Sequence, residues 1–158
     1  MSDSVYEIKD VVDRKRNPIP TVEYAEPIGT RKVCCMFDEP DAEKAVRNAS
    51  LSFVEDHYSS YRHEHSLYRC RKCGAYVLKH YEEIATFLPG YDWDNADCFE
   101  RYYPVEMVEE ARDLEGRYSF GKLSYARGHI EVFYTENNYE CKSYRYVDQK
   151  DIEKRKEV

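Results

Sequence analysis

Cys70-Arg71-Lys72-Cys73-Gly74 constrains this chain more than any other feature. Two cysteines separated by two residues can turn both thiolates toward one ion. The glycine that follows permits the tight turn that aims backbone amides at the sulfurs. Such a knuckle is half of a tetrahedral metal site, and Cys34-Cys35 is the nearest source of the other half. Lys32 to Phe37 reads as a short buried strand. Adjacent strand residues point to opposite faces, so only one of Cys34 and Cys35 is expected at the ion. Cys98, His57, His63, His65 and His80 are the candidates for a fourth ligand. Four closed nitrogen or sulfur ligands would leave no open position, which makes a structural ion the expectation.

Composition narrows the function classes. The chain has 158 residues, enough for one domain with a real core. Residues 1–158 are read as a single globular domain with an irregular N-terminal segment, 1–30, and a charged, frayed helical tail, 148–158. Of the 42% hydrophobic residues many are tyrosine, 16 Tyr against one Trp, which suits a half-buried sheet or a partner surface. A net charge of -7 argues against general nucleic-acid binding, which needs a basic face. No stretch approaches the roughly 18 apolar residues of a membrane span. Met1 to Glu7 lacks the basic-then-apolar pattern of a secretory signal, so the cytoplasm is the expected compartment. There the six cysteines stay reduced, free or metal-bound.

The element reading is α+β: an antiparallel, tyrosine-rich sheet with one or two helices packed on it. Asp41 to Val46 opens a helix after Pro40. Leu51 to Tyr58, Ser66 to Arg69 and Ala75 to Glu83 read as strands, with Ser59 to Glu64 as a polar turn. Pro104 to Leu114 is the clearest helix, with Val105, Val108 and Ala111 on one face and Gly116 as its stop. His129 to Thr135 and Tyr139 to Val147 form a hairpin around Glu136-Asn137-Asn138. Ile130, Val132 and Tyr134 should share one face, opposite Glu131 and Phe133.

Charge is segregated. His57 to Tyr81 holds five Lys/Arg against one acid; Glu82 to Gly116 holds eleven acids against two arginines. Two solvated faces would explain this. A second reading makes the acidic stretch complementary to a basic partner.

Other chemistry is weaker. Asp56 with His57 could act as acid and base, and His63 with His65 share a face of an extended segment. The H-E-x-x-H spacing is absent. Asp92-Trp93-Asp94-Asn95-Ala96-Asp97 lacks the glycine and the terminal acid of a calcium loop. A redox role for the C-x-x-C pair would require it to start a helix, whereas the residues after it read as a strand. No phosphate-binding glycine loop and no nucleophile-elbow motif is present.

Cys70 to Gly74 resembles one knuckle of zinc-ribbon and rubredoxin-like proteins, which implies a zinc ion held by Cys70 and Cys73 with Cys34 or Cys35. In type, the acidic, Tyr-rich chain without catalytic motifs looks like an immunity protein of a bacterial toxin system. That resemblance implies no enzymatic activity and a protein partner with a basic surface, a toxin, whose active site it would occlude. Asp92, Trp93, Asp94, Asp97, Glu100, Tyr102 and Tyr103 are the candidate partner-binding residues. The alternative is a zinc-knuckle nucleic-acid accessory protein using Arg62, Arg69, Arg71, Lys72 and Lys79 with Tyr68 and Tyr76 as stacking platforms. A contiguous basic face would favour nucleic acid; basic residues paired with acids would not.

Overall fold

The computed structural model describes residues 31–85, 96–119 and 121–157. The irregular N-terminal segment therefore lies outside the described residues. Six strands form one antiparallel sheet in simple sequence order. They are β1 (Leu51–Ser59), β2 (His63–Cys70), β3 (Tyr76–Ile84), β4 (Asp97–Val105), β5 (His129–Thr135) and β6 (Ser143–Val147). Three helices accompany them: α1 (Ala42–Arg47), α2 (Val108–Arg117) and α3 (Gln149–Lys156). The α+β expectation holds.

The alternation of strand residues divides the sheet into two faces with different covers. On one, Leu67, Leu78, Tyr103 and Val105 pack under Ala111 and Leu114 of α2. On the other, Val77, Tyr102, Ile130 and Val132 pack under Phe37, Ala42, Ala45 and Ile152, from the 33–47 segment and α3. Ile130, Val132 and Tyr134 do share this face. Glu131 points the other way, onto Arg101.

Several elements depart from the sequence reading. Residues 35–38 form a 3-10 turn, not a strand: Cys34 caps it by accepting from the Met36 amide. A short apolar run carries no periodicity that separates the two. Tyr102 to Val105 belong to β4, so the helix starts at Val108 rather than Pro104. Pro104 stands opposite Val77 and beyond the last β4–β5 pair, Tyr102 with Ile130; its carbonyl, on the edge that β5 has left, accepts from the Arg127 guanidinium, and no ladder partner there requires its missing N–H. Gly116 lies inside α2 and does not end it. The β1–β2 turn is shorter than expected, because β2 begins at His63. The second strand of the C-terminal hairpin begins at Ser143, after a 3-10 turn at Glu136–Asn138. The C-terminal tail is docked, not frayed: Ile152 is fully buried and Lys156 donates to the Phe37 carbonyl at 2.8 Å. Among the described residues no helix is long and apolar enough to cross a membrane.

Candidate metal centre

The β2–β3 hairpin builds half of the centre. Cys70 ends β2, its carbonyl accepts from the Gly74 amide at 2.9 Å, and Gly74 takes φ 81°, a left-handed conformation that favours glycine. The closed turn points the Lys72 amide at Cys70 Sγ, 3.3 Å away. The 33–38 segment supplies the other half, and its 3-10 geometry corrects the expectation that one of two neighbouring thiols must face away. Both turn inward. The Cys35 amide donates to Cys73 Sγ at 3.3 Å, and the Cys35 and Cys70 sulfurs lie 3.7 Å apart.

All four sulfurs, from Cys34, Cys35, Cys70 and Cys73, lie within 4.8 Å of one another. None is in a disulfide, whose S–S length is about 2.05 Å. A tetrahedral ion with metal–sulfur bonds of about 2.3 Å places its sulfurs roughly 3.8 Å apart, and the Cys35–Cys70 pair already has that spacing. Cys34, Cys70 and Cys73 are buried and Cys35 is half-buried. The four thiols could thus hold one metal ion such as zinc.

Protonation points the same way. Cys34 donates to Cys73 and, with the Ala75 and Cys35 amides, pulls the Cys73 thiol down to about 4. Its own thiol is pushed up by that bond to Cys73 and by burial. Burial and the neighbouring sulfurs push Cys35 up to about 12. Among the four, Cys73 is thus the thiol that ionises most readily, while Cys34 and Cys35 hold their protons more tightly. A divalent cation would replace those protons and let all four ionise.

The remaining candidates for a fourth ligand go elsewhere. Cys98 is buried beside the Tyr81 hydroxyl. His65 and His80, directly opposite on β2 and β3, join Glu115 of α2 in a second cluster. His65 Nδ1 and His80 Nε2 each meet one Glu115 oxygen, at 2.9 and 2.8 Å. The two rings stack at 3.7 Å and 9°. Parallel rings send their nitrogen lone pairs side by side rather than toward a common point, so the carboxylate clamp is the arrangement this geometry favours. Burial alone would push Glu115 up, but the bonds from His65 and His80 outweigh it and hold the carboxyl well below its usual range. Burial pushes His80 down. His57 lies between Glu55, at 2.6 Å, and Glu115, at 3.3 Å. Asp56 accepts from Ser66 instead, so Asp56 and His57 do not form an acid–base pair. His63 faces Glu82 at 3.7 Å and is not paired with His65 about an ion. Glu115 was missed in sequence because nothing local marks it; only the pairing of β2 with β3 under α2 brings the three groups together.

The candidate partner-binding residues scatter. Asp92, Trp93 and Asp94 lie outside the described residues. Asp97 and Glu100 are half-buried on β4. Tyr102 and Tyr103 are 6% and 1% exposed, in the two opposite cores, and are not available as surface anchors. Alternation along a central strand buries both, whereas a helix start would have left one outside.

Comparison with protein-family models, with curated proteins and with solved structures finds no match to this chain.

Proposed function

We propose that this chain is a non-enzymatic protein-binding domain, stapled by a structural zinc ion at Cys34, Cys35, Cys70 and Cys73, that neutralises a basic partner by covering it. The mode of action is that of an immunity protein against a toxin, including one with a nuclease-type cleft. Four sulfur donors satisfy a tetrahedral ion, and the ion's contribution is then folding free energy rather than chemistry.

The observation that carries the choice of partner is where the basic residues go. Arg62 pairs with Glu83 at 3.1 Å, Arg69 donates to the Gly74 carbonyl, and Lys72 donates to the Asn48 carbonyl. Arg101 is buried between Glu82 and Glu131, and Arg127 pairs with Glu110. Of the five cations of the 62–79 stretch, Arg62, Arg69 and Lys72 bond within the fold and Lys79 lies over the Tyr102 ring, while Arg71 is exposed; this engagement of four of the five supports a protein partner over the phosphate backbone of a nucleic acid. The acidic excess would speed encounter with a basic surface, and buried contacts would set the lifetime of the complex.

The test is affinity capture from the source cell, followed by association and dissociation kinetics on the purified ligand across a salt series. A basic protein whose association slows with salt is the expected result. Recovery of nucleic acid alone, bound through Arg62 to Lys79, would overturn the reading in favour of the accessory-protein alternative. Turnover of a small molecule that depends on His57 or His65 would overturn both.

A further inference from the structure

Among the described residues, cover over the face of the sheet that carries the metal centre extends along only part of its length. The 33–47 segment and α3 lie over Val77, Ile130 and Val132. Further along the same strands, Tyr68, Tyr81 and Tyr134 floor an open cavity of about 410 Å³, with Tyr61 at its mouth. That volume falls within the range of about 300–1,000 Å³ found for ligand pockets. Tyr61 is 84% exposed, and Phe53, 60% exposed, packs edge-on against Tyr68 and extends the aromatic surface to the β1 edge.

The walls are acidic. Among the described residues, Glu64, Glu83 and Glu100 line the cavity together with one ammonium, Lys79, and Glu83 is paired with Arg62 at 3.1 Å. Tyr81 and Tyr134 aim Glu83 and Glu100 by donating to them, at 2.7 and 3.1 Å. Each of those carboxylates keeps further lone pairs for an incoming donor. Glu64 stands exposed at the entrance. The phenols register this field: burial first, then nearby carboxylates, push up Tyr68 and Tyr134, and burial with the bond to Glu83 pushes up Tyr81. The protein's own cations already use the aromatic rim. Lys142 lies 4.9 Å from the Tyr134 ring centre and Arg62 5.0 Å from that of Tyr61.

We propose that this tyrosine-floored, carboxylate-walled cavity is the docking site for an arginine side chain presented by the basic partner protein. The proposal rests on the binding function argued above and names its surface. A planar guanidinium can stack on a phenol ring and donate bidentately to a carboxylate at once, which a lysine ammonium cannot. Even with Glu83 paired to Arg62, Glu64 and Glu100 outweigh Lys79, which disfavours a phosphate.

The test uses the full chain with isotope-labelled tyrosines, titrated with acetyl-Gly-Arg-Gly-amide and with its lysine and glutamate counterparts, while the tyrosine ring signals are followed by NMR. The arginine peptide should produce saturable shifts at Tyr68, Tyr81 and Tyr134. The lysine peptide should bind several-fold more weakly, and the glutamate peptide should shift none of them. Glu64→Gln, at an exposed position that leaves the fold intact, should weaken arginine binding by about threefold, and Glu64→Gln with Glu100→Gln by about tenfold. An arginine peptide that leaves these rings unmoved, or that binds Glu64→Gln unchanged, would overturn the proposal. So would displacement of the peptide by oligothymidylate, or ring shifts that follow protein concentration alone and so report a second copy of the chain. Cytochrome c, a compact basic protein, separates this proposal from its premise. If it binds at low salt while the three rings stay silent, the docking site is wrong and the binding function stands. If neither probe binds anywhere, both fall.

Discussion

Replacing Glu115 with alanine removes the one carboxylate that two buried histidines share. His65 and His80 are 5% and 7% exposed, and each gives its ring N–H to Glu115, at 2.9 and 2.8 Å. A hydrogen bond to a charged group contributes about 1.5–3 kcal/mol, and a buried donor left without a partner costs about 1–3 kcal/mol. The Glu115 side chain is 15% exposed, so water can recover part of this loss. The expected destabilisation is about 3 kcal/mol. Glu115→Gln keeps one acceptor oxygen and should lose about half as much. Urea unfolding at pH 7, followed by far-ultraviolet circular dichroism, measures both. Asp113→Ala is the control: it removes an exposed pair with Arg117 one turn away and should cost about 0.5 kcal/mol or less. The same cluster sets a pH dependence. Glu115 titrates lower folded than unfolded, so its stabilisation is complete above the unfolded value of about 4.5 and is lost as pH falls. His80 is also lowered, so its contribution is complete above about 6.5 and is lost below it as the unfolded state takes up the proton first. Wild-type stability should therefore decline on acidification from about pH 6.5; Glu115→Ala should remove the part of the decline below about pH 4.5, while His80, no longer raised by the carboxylate, should keep or steepen the part above it. A loss below about 1 kcal/mol for Glu115→Ala, equal to that of an exposed pair, would mean that the two histidines do not depend on this carboxylate.

Two further outcomes test the packing. Ile152→Ala, at a fully buried position of α3, should cost about 2–5 kcal/mol and expose the C-terminal helix to limited proteolysis; a change within about 0.5 kcal/mol would mean the helix is not docked. Gly128→Ala should destabilise by about 1–3 kcal/mol, because a methyl group there would meet the Asp148 carbonyl oxygen at 2.5 Å and Ile152 Cγ1 at 3.0 Å, whereas Gly116→Ala, with nothing within 4 Å, should stabilise α2 by about 0.5–1 kcal/mol; thermal melts of both variants check the opposite signs.

Features encoded locally were the legible ones. The knuckle could be read because spacing and a following glycine suffice to form it, and Gly74 does adopt the left-handed turn. The alternation of Ile130, Val132 and Tyr134 correctly assigned a face of β5. Misreadings arose where local pattern and tertiary context disagree. Pro104 beside an acidic, helix-favouring run looks like a helix start, but β4 extends through it because β3 pairs along that whole stretch. Cys34 and Cys35 fall on two faces in the sequence reading because five apolar residues, Val33 to Phe37, resemble a strand until the cap at Cys34 is seen. The His65–His80–Glu115 cluster was not legible at all, since strand register, not spacing, makes His65 and His80 neighbours.

The proposed metal centre needs all four cysteines, both members of the 34–35 pair included, to close around one ion. The most direct measurement is the metal content of protein purified without chelator, together with the visible spectrum after cobalt substitution. About one zinc per chain is expected, with the thiolate-to-cobalt absorption of a four-sulfur site. That signature should weaken in Cys34→Ser and Cys35→Ser alike and persist in Cys98→Ser. A folded protein with no bound metal would contradict the account. So would a spectrum unchanged in Cys34→Ser or in Cys35→Ser, which would return the centre to three cysteines and a ligand from elsewhere.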